Sequence, residues 1–191
     1  MGRTASASTA WLTTLALAVP VVAGCTRPVT EHERAMFLEA GDLADWGYEG
    51  AVRPQDEKVT HVRSIDGTRE ITYEYESPDP ANPLYVHVAV TIQKNVVGAH
   101  LRGVAEDFGS TIGLRSGGVG DREMSGGRVW GEASTLAALV HHDVVVGHRF
   151  SARSGGRTYH LILTGIHADE AQTWDEMIEP QMGAFLSYAP P

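Results

Sequence analysis

Two glycine-containing turns lie between alternating segments of the chain, and they constrain its fold more than any other feature. Asp66-Gly67 separates VTHVRSI from TREITYEYE, and Gly155-Gly156 separates DVVVGHRFSARS from RTYHLILTG. Dipeptides of this kind are typical of two-residue β-hairpin loops. Alternation of apolar and polar residues is typical of strands with one buried face. The sequence therefore predicts two antiparallel hairpins.

The loop length sets the register of the first hairpin. A two-residue loop at Asp66-Gly67 places Val62 opposite Ile71 and Arg63 opposite Glu70. One face of the hairpin is then apolar, with Val62, Ile71, Tyr73 and Tyr75. The other face is acidic and is expected to be solvated, with Glu70, Glu74 and Glu76.

The same reasoning applies to the second hairpin. A Gly155-Gly156 turn pairs Val144 with His167 and places His148 opposite Leu163, in the apolar interior. The opposite face is polar, with Arg149, Ser151, Arg153, Thr158 and His160.

The rest of the chain adds further strands and a few helices. Thr30 and Glu33 have the spacing of a capping box, which predicts a helix near 31–40. Other expected elements are strands at 84–93 and 128–134, a glycine-rich loop at 115–127, and helices at 96–112 and 169–188. This order predicts an α+β fold. We expect a single domain with a mostly antiparallel, twisted sheet of about five to six strands and flanking helices.

The first 24 residues have the parts of a secretory signal peptide. Arg3 gives a positive start, an apolar stretch covers 11–22, and small residues follow. Such a pattern predicts export and cleavage. The apolar stretch is shorter than the roughly 20 residues that span a bilayer.

The residues VAGC, Val22 to Cys25, resemble the lipobox of bacterial lipoproteins. The resemblance implies cleavage before Cys25, diacylglycerol on its sulfur and an acyl group on the new N-terminus. Thr26 follows rather than aspartate, which implies the outer membrane if the cell has two membranes, or the outer leaflet of the plasma membrane if it has one. The domains expected are a signal peptide at 1–24, an acylated tether at 25–30 and an extracytoplasmic domain at 31–191.

Composition limits the stability and the partners of the mature chain. Cys25 is the single cysteine, so the mature protein has no disulfide and its core must stabilise it. The net charge of −9 argues against nucleic acid as a partner. Because the tether is short, the domain is expected to lie close to the membrane.

A longer succession of motifs covers most of the mature chain. DLADW at 42–46, a strand followed by a helix near Asn95, VGD at 119–121 and HRFSARSGGRTYHLILTG at 148–165 occur in this order. It resembles exported actinobacterial lipoproteins and sensor-kinase ectodomains, and is similar in order to PsbP-like folds. The chain departs from the sensor pattern in having no cysteine pair. The resemblance implies binding or scaffolding roles.

Nine histidines raise the question of a metal site. In the register above, His142 lies diagonal to His167, close enough for two imidazoles to share a metal ion. A third ligand would come from Asp169, Glu170 or elsewhere. The alternative is that these histidines are satisfied by the backbone. No other cofactor is expected beyond the lipid on Cys25.

Arg149, Arg153 and His160 form a small basic patch on an otherwise acidic chain. Such a patch could meet an anionic partner or a phospholipid headgroup, and the alternative is cross-strand charge balance. No motif predicts catalytic residues.

Three functions are compatible with these features. The first is a membrane-anchored binding or scaffold module for a protein or small-molecule ligand. The second is a metal-binding protein or metal-dependent enzyme that uses His142 and His167. The third is a purely structural cell-envelope lipoprotein. A pocket of a few hundred Å³ with convergent polar groups would favour the first.

Overall fold

A computed structural model describes residues 27–93 and 119–189. Its centre is an antiparallel seven-stranded sheet with the order β1-β2-β3-β7-β6-β5-β4. The strands are β1 (Glu57–Arg63), β2 (Arg69–Glu76), β3 (Tyr85–Ile92), β4 (Val119–Glu123), β5 (Ala133–His141), β6 (Val144–Ser154) and β7 (Arg157–Thr164). β1 and β4 are therefore the two edges of the sheet.

Few helices accompany the sheet. Helix α1 (Glu31–Arg34) is followed by 3₁₀ helices at Ala40–Trp46 and Pro54–Asp56, and helix α2 (Ala171–Ser187) follows the last strand. In the described part of the chain, no helix has the length and apolar character needed to cross a membrane.

The core lies between one face of the sheet and α2. The apolar stripe of α2 is fully buried and consists of Trp174, Ile178, Met182 and Phe185. The sheet contributes buried side chains from its central strands: Ile71, Tyr73, Tyr75, Val86, Val88, Val90, Phe150, Tyr159, Leu161 and Leu163. We call this side of the sheet the core face. The C-terminal helix and its stripe are as the sequence predicts, and Pro180 is accommodated inside the helix.

The predicted register of the first hairpin is wrong by one residue. Val62 pairs with Glu70, and Arg63 pairs with Arg69. The loop has three residues: the amide of Ser64 donates to the carbonyl of Thr68 at 2.8 Å, and Gly67 has φ +84°. A turn followed by a left-handed glycine is the usual three-residue hairpin loop. The slip moves Val62 to the outer face.

The register of the second hairpin is confirmed over most of its length. Its pairs run from Ser154–Arg157 to Gly147–Thr164, and His148 lies opposite Leu163. The predicted pairing of Val144 with His167 does not form, because the ladder ends at Gly147 and Val144 pairs with His141 of β5.

Three further expectations need correction. The sheet has seven strands rather than five to six, because Val119–Glu123 forms an edge strand inside the stretch expected to be a glycine-rich loop. The strand expected at 128–134 lies instead at Ala133–His141. The N-terminal helix ends at Arg34 rather than near residue 40. The helix expected at 96–112 lies outside the described residues.

Candidate functional site

A groove lies between the start of the described chain and the edge strand β1. Its volume is about 540 Å³. Four of its eight lining residues are aliphatic, and the others contribute one imidazole, one hydroxyl and two guanidinium groups: Arg27, Pro28, Val29, Arg34, Val59, Thr60, His61 and Val62. We call it the β1 groove.

The wall of the groove opposite β1 is held by a buried carboxylate. Glu33 is 1% exposed and accepts the backbone N–H of Thr30 at 2.9 Å and the hydroxyl of Tyr188 at 2.7 Å. Arg27 donates to the same carboxylate at 2.5 Å. In return, the Glu33 amide donates to the Thr30 side chain, so the predicted capping box is confirmed.

These hydrogen bonds change the acidity of Glu33. Burial by itself raises the pKa of the carboxyl, but hydrogen bonds from Thr30, Tyr188 and Arg27 outweigh it and lower the pKa to about 2. Glu33 is therefore ionised at any physiological pH. It joins three segments at one point: residues 27–30, α1 and the end of α2.

The end of α2 is fixed to the sheet by Arg157. Its guanidinium donates to the carbonyls of Phe185 at 2.8 Å and Leu186 at 3.4 Å, and also to that of Tyr188. A cation is favourable at a helix C-terminus, where carbonyls lack partners within the helix. Tyr188 and the Glu33 contacts are thus positioned by a residue of β7.

His61 is the unusual residue of the groove. It lies in β1 opposite Ile71, on the core face, and is 5% exposed. Neither ring nitrogen makes a hydrogen bond of good geometry with the described residues, and the backbone of Arg27 is the polar group near enough to favour the charged ring weakly. Burial lowers the pKa of the imidazole, and the charge of Arg27 lowers it further. The ring is therefore neutral at neutral pH and carries one donor and one acceptor.

Other buried polar atoms in the described residues also lack partners. The hydroxyl of Tyr159 and the indole N–H of Trp174 are examples, and both lie within the core. The buried His148 contrasts with His61, because its Nε2 accepts the amide of Ala168 at 2.8 Å. His61 differs in leaving two polar atoms unpaired at the wall of an open groove. A buried polar group without a partner is uncommon and calls for an explanation.

The charged groups beside the groove neutralise one another. Arg34 lies 2.6 Å from Glu39 and 3.4 Å from Glu57, and Arg27 is paired with Glu33. The side chains left to meet a ligand are therefore aliphatic groups and the neutral ring of His61. This lining suits a ligand with an apolar body and one hydrogen-bonding group.

The two histidines predicted to bind metal have different neighbours in the structure. The ring of His142 lies 4.0 Å from that of His141, in a turn where His142 and Asp143 both have positive φ. His167 lies 3.9 Å from Asp169. Across residues 27–93 and 119–189, no three ligand-type side chains form a metal-binding group. Metal binding at His142 and His167 stays a prediction.

The predicted basic patch does share one face of the sheet. His160 pairs with Ser151, and Arg149 and Arg153 flank that serine two residues away on β6. Each arginine also has an acidic neighbour: Asp121 for Arg149, and Glu132 at 3.5 Å for Arg153. Anion binding at this patch stays a prediction.

Sequence reasoning missed the β1 groove because the predicted register, with Val62 on the apolar face, implies the solvated face for its neighbour His61. One signal was present. Val59 and Val62 are three residues apart, so they cannot share a face of a regular strand. The pattern of β1 was therefore compatible with either register, and the loop decided between them.

Comparisons with known proteins find no relative of this chain. No family model, curated protein or solved structure matches this chain. The lipobox and the PsbP-like resemblance therefore stay predictions, and the site must be interpreted from its own chemistry.

Proposed function

We propose that this protein is an exported lipoprotein, anchored to the cell envelope through Cys25, that acts as a binding module with its ligand in the β1 groove. The observation that carries the proposal is the buried, unpartnered imidazole of His61 beside an aliphatic lining. The unpaired groups of Tyr159 and Trp174 lie within the core, whereas His61 borders the groove, where a ligand can supply partners and offset a desolvation cost of about 1–3 kcal/mol.

The lining defines the class of ligand. Aliphatic side chains at Val29, Val59 and Val62 favour an apolar body. The neutral ring of His61 can donate one hydrogen bond and accept another. A hydroxyl, an amide or a protonated carboxyl group satisfies it without burying a net charge. The ligand is therefore an uncharged or weakly polar amphiphile.

Native mass spectrometry of the full mature protein, extracted in detergent from its own host, tests the proposal. The intact mass reports acylation of Cys25, and a non-covalent added mass reports the ligand. Two matched variants locate it: Val59→Glu places a charge in the groove, and Val144→Glu places one at an exposed residue on β6.

We expect the wild type and the Val144→Glu variant to carry the added mass, and the Val59→Glu variant to lose it. A wild type without added mass, or a Val59→Glu variant that keeps it, would show that the groove is not the binding site. An intact mass without lipid would refute the anchoring separately.

A further inference from the structure

We propose that the β1–β2 hairpin lies on the bilayer surface, with Ile65 inserted among the lipid headgroups. The proposal rests on the anchoring at Cys25 proposed above. It specifies which side of the protein faces the membrane. It therefore also specifies that the β1 groove opens near the bilayer surface.

The position of Arg27 limits where the anchor can be. Cys25 precedes Arg27 by two residues, and two residues span at most about 7 Å. Arg27 lines the β1 groove together with residues 59–62 of the edge strand. Its guanidinium is held by Glu33, so the chain leaves the body at a fixed place. A lipid on Cys25 must therefore enter the bilayer close to β1.

The hairpin exposes large apolar side chains close to this exit. Ile65 at the tip is 92% exposed, Val62 is 50% exposed and Val59 is 36% exposed. They are three of the five large apolar residues exposed in the described part of the chain. Ile65 lies about 10 Å beyond Val62 along the strand direction, so it projects from the body of the protein. Val59 and Val62 lie on opposite faces of β1, so Ile65 at the tip is the apolar side chain that projects furthest towards a partner surface.

The charge of the hairpin is also suited to a lipid surface. Residues 57–70 contain three basic side chains (Lys58, Arg63, Arg69) and three acidic ones (Glu57, Asp66, Glu70). Residues 57–70 are therefore neutral, whereas Glu74 and Glu76 at the far end of β2 give the whole hairpin a charge of −2. An anionic leaflet repels residues 57–70 less than it repels the rest of the acidic chain.

A second copy of the chain is the competing occupant. β1 is an edge strand, and an edge strand can pair with another chain through its free backbone groups. The exit of the tether beside β1 favours the membrane instead, since a lipid-anchored protein meets the bilayer before it meets another copy. The experiment below separates the two.

Labelled cysteine variants of the mature lipoprotein test the proposal. Ile65→Cys carries an environment-sensitive nitrobenzoxadiazole label at the tip of the hairpin. Val144→Cys carries the same label at a matched position, because Val144 is 62% exposed and lies past Gly147–Thr164, at the opposite end of the strands. Both proteins are reconstituted into vesicles of phosphatidylethanolamine and phosphatidylglycerol. Iodide then quenches the labels from the aqueous side.

We expect the label at residue 65 to show a blue-shifted emission and loss of iodide quenching, independent of the protein-to-lipid ratio. The label at residue 144 should remain quenched. Equal quenching at both positions overturns the proposal. Protection at residue 65 that disappears on dilution with lipid assigns the surface to a second copy and also overturns it. Intact mass and thiol labelling at Cys25 report separately whether the anchoring itself has failed.

Discussion

Glu33 and His61 are two buried polar side chains near one groove, which His61 lines itself and Glu33 supports through Arg27, and their hydrogen bonding differs. The carboxylate of Glu33 accepts hydrogen bonds from Thr30, Arg27 and Tyr188. The ring nitrogens of His61 make no hydrogen bond of good geometry with the described residues. Both are almost fully removed from solvent, at 1% and 5% exposure.

The difference shows how the two residues contribute. A buried charge with all its hydrogen bonds formed fixes the segments that contact it. A buried polar group without partners lowers the stability of the empty protein, and such a cost is expected at a site where a ligand supplies the missing contacts. Glu33 therefore holds the wall of the groove, and we propose that His61 contacts the ligand.

Replacement of Glu33 should give the largest effect. The Glu33→Ala variant leaves the hydroxyl of Tyr188 and the guanidinium of Arg27 without their acceptor. We expect the free energy of unfolding to fall by about 3–4 kcal/mol, as for other broken buried pairs. Urea denaturation measures it. The Glu31→Ala variant is the control, since Glu31 is exposed in the same helix and should change stability by less than about 0.5 kcal/mol. Equal losses would mean that the Glu33 network does not hold the wall.

The pH dependence of the free energy of unfolding should distinguish the contribution of the buried histidines from that of Glu33. Burial, with a smaller contribution from His167, lowers the pKa of His148 to about 4, whereas an unfolded histidine titrates near 6.5. Between these two pKa values the unfolded chain binds protons more readily than the folded protein. The free energy of unfolding is therefore highest above about pH 6.5 and decreases as the pH falls. His61 acts in the same direction, because its pKa is also lowered.

We expect the difference in proton binding at His148 alone to lower the free energy of unfolding by about 3 kcal/mol between pH 7 and pH 4. The pKa of Glu33 is lowered to about 2, so its stabilisation is present above about pH 4.5 and is lost as the pH falls towards 2. Urea denaturation across this pH range should therefore show two successive declines. Stability that stays constant from pH 7 to pH 4.5 would contradict the burial of neutral histidines.

Replacement of His61 should have the smallest effect and the opposite sign. The His61→Leu variant removes two unpaired polar atoms from a buried site and keeps an apolar side chain there. We expect the ligand-free protein to gain about 1 kcal/mol of stability, because the desolvation cost disappears. Urea denaturation of protein freed of co-purifying ligand measures it. A loss of 1 kcal/mol or more would show that His61 has a structural role.

Much of the sheet could be predicted from the sequence, because alternation and turn chemistry are local signals. The pairing of β6 with β7 follows from Gly155-Gly156, which forms the tight turn expected of it. The hairpin of β5 and β6 could not be predicted in the same way. Its turn residues, His142 and Asp143, have positive φ without being glycine. β4 carries no alternating apolar residues and is an edge strand, so it is defined by backbone pairing with β5 and by the contact of Asp121 with Arg149, which no local pattern indicates.

The candidate site could not be predicted, because it depends on a single-residue shift. A one-residue change of register exchanges the two faces of a strand. Gly67 in the left-handed conformation lengthens the loop to three residues, and this shift places His61 on the core face and Val62 outside. The other wall adds a long-range contact between Glu33 and Tyr188, which no local pattern indicates.

Nuclear magnetic resonance of histidine ring nitrogens in the mature protein tests the central claim most directly. Spectra are recorded with the co-purifying ligand bound and after its removal, and the signal of His61 is assigned with the His61→Leu variant. We predict that removal shifts the ring nitrogens of His61, because a hydrogen bond is lost, while those of His148 stay unchanged, because Ala168 remains its donor. Ring nitrogens of His61 that do not change on removal would contradict the account.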